Sequence, residues 1–254
     1  MMAPWIGLLL PVTLILARTS AMLMALPIFG SLNVPLRVRS GLALLLSIFF
    51  ALLLPMPALG PVAWPAAVLL VGREVLTGLG LGLAIRLVYL FVQQAGQMAG
   101  RQLGFMDAGV IDPVSGERSR PLAMLFQTVF AVFFLMADGH HLLLRALHAS
   151  FRAFPAAQSP TVGALTATVL DAGSTMLLFA LKLAAPMLAA FVILSVILGV
   201  LARVLPEMNI LLASFPLRVG MGLFMAVQMI PLFGTCNDQL VRWISGLVAD
   251  LSGA

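Results

Sequence analysis

Asp138, His141, Arg145 and His148 recur at i, i+3, i+7 and i+10, a spacing that lines them along one face of a helix. Carboxylate and imidazole on adjacent turns can share a divalent metal or pass a proton. Only two histidines fall on this stripe, two turns apart, and His140 is expected to point elsewhere. A polar packing or interfacial stripe is therefore the plainer reading. No Gly-x-Ser-x-Gly, HExxH or phosphate-loop pattern occurs, so nothing else in the chain suggests bond-making chemistry. The glycine-rich stretch GLGLGLA (78–84) lies in an apolar run with no strand before it. Its small residues suit close approach of two helices rather than a nucleotide.

A second group of chemically active side chains interrupts the apolar chain between Gln93 and Pro121, QQAGQMAGRQLGFMDAGVIDPVSGERSRP. It contains Arg101, Asp107, Asp112, Glu117, Arg118 and Arg120, with Gln93, Gln94, Gln97 and Gln102. A polar, glycine-rich loop of this length is either a connector or a working part. Its glycines at 100, 104, 109 and 116 leave the backbone free to bend, which suits either role.

The elements that must position these residues follow from composition. The chain has 254 residues, 62% hydrophobic and 9% charged, against roughly 25% charged in a soluble domain. So few polar side chains cannot cover a water-facing surface, and the chain reads as an all-α integral membrane protein. Six apolar segments are predicted as partly broken helices, about 6–28, 41–59, 65–90, 121–147, 175–203 and 211–234, in one membrane domain over 1–254. The first is expected to be retained, because no basic residue precedes its apolar run and the first one, Arg18, lies within it.

The net charge of +5 comes from 13 arginines and the single Lys182. No basic block with interleaved aromatics occurs, which argues against nucleic-acid binding. The arginines Arg37, Arg39, Arg86, Arg101, Arg118, Arg120 and Arg203 would share one side of the membrane. Arg145, Arg152 and Arg242 would share the other, an asymmetry that predicts both termini outside. Cys236 is the lone cysteine, so no intrachain disulfide forms.

Several charges fall inside the apolar runs, where a central charge costs about 2.5–3.5 kcal/mol on insertion scales. Arg73 and Glu74 are neighbours on different helix faces and have no opposite charge one turn away. Their partners must come from other helices or other chains. Pro186 deprives the Lys182 carbonyl of its donor, so that region is either a tolerated kink or a broken helix packed against protein.

Four ordered blocks carry a family resemblance: residues 15–47, 93–116, 137–151 and 182–223. Together they resemble the FliR family of flagellar and type III secretion export-apparatus proteins. Where that family carries Pro-Gln-Met-Asn, this chain has Pro206-Glu207-Met208-Asn209, so the glutamine's hydrogen-bonding role does not carry over. The resemblance implies a non-enzymatic structural and gating subunit of a protein-conducting export gate in the bacterial inner membrane, without a cofactor. It implies a fold like a P-type half joined to a Q-type half. The expected partners are P-type and Q-type export-gate subunits (FliP and FliQ like), further export-apparatus membrane proteins, lipid and exported unfolded polypeptides.

The resemblance also turns the polar loop at 93–121 into a channel plug, with Gly104, Phe105, Met106, Asp107, Asp112 and Pro113 as its working residues. Arg73, Glu74, Asp138, His141, Arg145, Lys182, Pro186, Glu207 and Asn209 become buried polar or interface residues. The Gly139-His140-His141 run and the Asp112-Pro113 pair favour a flagellar basal body over an injectisome. A small-solute transporter is the reading from a different class.

Overall fold

In the computed structural model, the described residues are 4–27, 29, 34–55, 62–103, 121–205 and 210–252. They contain helices and no strands, as the sequence predicts. The helices are α1 (Pro4–Ala25), α2 (Leu36–Leu53), α3 (Trp64–Tyr89), α4 (Phe91–Gln102), α5 (Pro121–Met136), α6 (Gly139–Ala153), α7 (Val162–Val204), α8 (Ile210–Gln228) and α9 (Ile230–Ser252).

The boundaries differ from the six predicted segments for local reasons. The polar interruption does not begin as a loop: 93–102 is the body of α4, an amphipathic helix that buries Ala95, Gly96, Ala99 and Gly100. The segment 121–147 is cut where Asp138 takes a left-handed backbone (φ 56°), a conformation that Asp tolerates better than most residues. The run 211–234 divides at Met229, just before Pro231. The link 148–174 is mostly helical, because α6 continues to Ala153 and α7 starts at Val162. Within α7 the helix passes through Pro186 unbroken, which is the tolerated-kink outcome.

The chain divides into two compact units. The first comprises Met1–Tyr89, Asp138–Ser174 and Leu240–Ala254. Its core is α1 against α3, with Leu14, Met22 and Leu23 of α1 and Leu81, Ala84, Ile85 and Val88 of α3 all buried. The close approach expected of GLGLGLA occurs here: Gly78 lies against the Arg18 backbone and Gly82 against Met22 and Ala25. Helix α2 buries only Ala43, Ser47 and Phe50, a single narrow stripe.

The second unit comprises Leu90–Ala137 and Thr175–Gln239. Helices α4 and α5 pack closely, with Gly96 facing the Ala123 backbone. Its core is aromatic: Phe91 meets Phe130 at 5.3 Å and Phe179 at 5.7 Å, and Phe126 meets Phe233 at 5.2 Å, all edge to face. This is the geometry that ring quadrupoles prefer.

Among the described residues, three helical stretches are long and apolar enough to cross a membrane, Leu36–Leu53, Trp64–Gln102 and Val162–Val204. Two bent pairs, α5 with α6 and α8 with α9, raise the number to five if each is one span. Much of their apolar surface faces outward. On α7, Val192, Ile193, Val196, Ile197 and Val200 are all exposed, so lipid or other protein must cover them.

Candidate functional site

The most deeply buried chemistry in the first unit is an ion pair. Arg18 on α1 and Glu74 on α3 are both 0% exposed, and Arg18 Nε donates to Glu74 Oε2 at 2.6 Å. The Arg18 Nη1 donates to the carbonyls of Ser150 (2.9 Å) and Phe154 (2.7 Å) at the end of α6. Carbonyls at a helix C-terminus carry the negative end of the helix dipole, so a guanidinium there is favoured twice. The second carboxylate oxygen, Glu74 Oε1, accepts from the Ala157 N–H at 2.9 Å. The Phe151 ring lies under the guanidinium, 4.6 Å from Cζ.

This network ties α1, α3 and the α6–α7 turn together through charge-assisted bonds. Ala157 is held with φ 74°, a left-handed strain of roughly 1–2 kcal/mol for a residue with a Cβ. Its N–H bond to Glu74 helps offset that strain. Two buried polar atoms have no partner here, Arg18 Nη2 and Thr19 Oγ1.

The expectation that Glu74 finds its partner on another helix is therefore met by Arg18. Arg73 is exposed on this chain: adjacent residues on a helix diverge by about 100°, so Glu74 faces α1 and Arg73 does not. Lys182 and Pro186 are likewise exposed on α7, and the Lys182 ammonium lies 6.0 Å from the Phe179 ring centroid.

Of the predicted stripe, His141, Arg145 and His148 line one groove with Phe49, Phe50 and Leu53. Asp138 and His141 are exposed and adjacent, with Nδ1 of His141 3.2 Å from Asp138 Oδ1. Arg145 is exposed one turn further on. His148 stacks on Phe50, 5.9 Å between centroids. His140, expected to point away, lies with its ring 4.2 Å from that of His141. The left-handed Asp138 starts the helix one residue before the pair, so both imidazoles fall in its first turn. Gly104, Phe105, Met106, Asp107, Asp112, Pro113, Glu207 and Asn209 lie outside the described residues.

The sequence reading missed Arg18 as a key residue, although a signal existed. Arg18 is a charge deep in the first apolar run, and Glu74 is a charge lacking a partner. The backbone acceptors at Ser150 and Phe154 left no trace in the composition.

Several apolar spans and a buried ion pair define a multi-pass, all-helical integral membrane protein. The chain belongs to the bacterial export proteins, family 1, whose pattern matches residues 9–243. It is similar to the flagellar biosynthetic protein FliR of Escherichia coli (strain K12), 30% identical over 236 residues, covering 93% of this chain and 90% of that protein. It is similar to FliR of Bacillus subtilis (strain 168), 31% identical over 218 residues, covering 84% and 83%. Yop proteins translocation protein T of Yersinia pestis is 28% identical over 216 residues, covering 83% and 82%.

Proposed function

We propose that this chain is a structural and gating subunit of a bacterial type III protein-export channel, required for export of flagellar proteins and assembly of the flagellum. The observation that carries the reading is the near full-length match to the export family over residues 9–243. Relatives named as flagellar biosynthetic proteins at up to 31% identity support the flagellar assignment. The similarity to a Yop translocation protein supports an injectisome as the second reading, with the same channel role.

In this reading the chain sits in the inner membrane at the flagellar basal body, as one membrane domain built like a P-type half joined to a Q-type half. P-type and Q-type subunits cover the exposed faces of α2 and α7, and exported unfolded polypeptides pass beside it. Arg73, Arg145, Lys182 and Pro186, exposed on this chain alone, face those neighbours together with Glu207 and Asn209. The segment after α4, which lies outside the described residues, acts as the plug, with Gly104, Phe105, Met106, Asp107, Asp112 and Pro113 as its working residues. The role is structural rather than catalytic.

Two measurements test this. Co-expression with P-like and Q-like subunits should yield one stable assembly. A chain that purifies as a self-sufficient carrier of a small solute would refute the channel role. Deleting 104–112 should leave that assembly intact and make it conduct ions in planar bilayers. Conductance equal to that of the intact complex would count against the plug.

A further inference from the structure

Asp138, His140 and His141 bring three metal-binding side chains to one point. One donor atom from each lies within 4.8 Å of the other two. The His141–Asp138 separation of 3.2 Å is close to the roughly 3.3 Å edge of a tetrahedron built on bonds of about 2.0–2.1 Å. We propose that these three residues bind one divalent transition-metal ion of the zinc class. The site is independent of the channel reading above and follows from the local geometry alone.

Three observations support it. First, the left-handed Asp138 precedes α6 and presents its carboxylate beside the first helical turn, where the two imidazoles stand. Second, the rings of His140 and His141 lie 4.2 Å apart, so two imidazoles stand side by side next to the carboxylate. Third, the Nδ1 of His140 is buried and, among the described residues, has no hydrogen-bond partner, so no protein group claims that nitrogen. Buried ring nitrogens ordinarily have a partner.

The donor set fits a borderline ion. Two neutral imidazoles and one carboxylate make the three-ligand pattern that leaves a fourth position to water or to a partner's side chain. Calcium and magnesium prefer all-oxygen ligands and are disfavoured here. Asp138 and His141 expose 75% and 60% of their side-chain surface, so an ion reaches them without any opening of the fold. Arg145, one turn on, opposes a cation and keeps the site weaker than a four-ligand structural centre. His148, although on the same helix, stacks on Phe50 and takes no part.

The test uses the full chain in detergent, stripped with a chelator and titrated with Zn²⁺ alone against a chromogenic competitor. The expected result is one ion per chain in the wild type. His140→Gln, His141→Gln and Asp138→Asn should each weaken it at least tenfold, the lower end of the roughly 10–100-fold lost even with outer-shell partners. His148→Gln should bind as the wild type does. Co²⁺ should give the intense visible absorption of a tetrahedral site in the wild type and lose it in His141→Gln. No saturable binding, or binding undiminished in the doubly substituted H140Q/H141Q chain, would overturn the proposal.

Discussion

Replacing Glu74 by glutamine is expected to destabilise the first unit by about 3–5 kcal/mol, the usual cost of leaving a buried charge without its partner. The substitution preserves volume, and the amide oxygen still accepts from the Ala157 N–H. What it removes is the negative charge opposite a guanidinium that is 0% exposed. Arg18→Leu should be as damaging, since it strands the Glu74 carboxylate, frees the Phe154 carbonyl and leaves the Ser150 carbonyl only the Phe154 N–H. The double change Arg18→Leu with Glu74→Leu should recover part of the loss, because an ion pair exchanged for apolar groups is often close to neutral. Recovery stays incomplete, as the Phe154 carbonyl and the Ala157 N–H both lose their partners in the double variant. Thermal unfolding followed by size-exclusion chromatography in detergent reads all three. If Glu74→Gln survives heating as well as the wild type, the pair contributes little.

That network also marks how far the sequence could be read. Composition alone demanded an all-helical membrane protein, and the glycine spacing at 78–84 announced a close helix contact. Both follow from short-range rules, helical periodicity and the size of a side chain. The need of Glu74 for a distant partner was legible too, since no opposite charge lies one turn away. Its identity was not: Arg18 is 56 residues off, and pairing at that distance is decided by the fold. The break at Asp138 escaped notice because Ala137-Asp138-Gly139 sits within an otherwise continuous apolar run. There the left-handed Asp138 precedes a first turn that holds His140 beside His141, while His148 stays two turns along the same helix. The exposure of Arg73 could have been anticipated, because two adjacent helical residues cannot both face α1.

Gly82→Ala is expected to separate α1 from α3, although it adds one methyl group. A Cβ at Gly82 would lie 2.7 Å from the Ala25 Cβ and 2.8 Å from the Met22 carbonyl oxygen. Neither obstacle is the end of a flexible side chain, so the helices themselves must move. Overpacking of this kind costs typically 1–3 kcal/mol, and in a membrane helix pair it also removes the close backbone contact that drives association. Gly72 on the same helix has nothing within 4 Å of the equivalent atom. Gly72→Ala should therefore be neutral or stabilising by up to about 1 kcal/mol, the ordinary helix-propensity gain. At Gly80 the nearest atom is the mobile Leu165 Cδ2 at 3.2 Å, so alanine there should fall between the two. Equal stability of the Gly72→Ala and Gly82→Ala chains would refute the close-contact account. At Gly78 the added atom would overlap the carbonyl oxygen of Arg18 itself. A shift of α1 there moves the guanidinium off Glu74, so the effects of Gly78→Ala and Glu74→Gln should add to less than their sum. That shortfall, measured in a double-mutant cycle, would show that the glycine stripe and the ion pair hold the same joint.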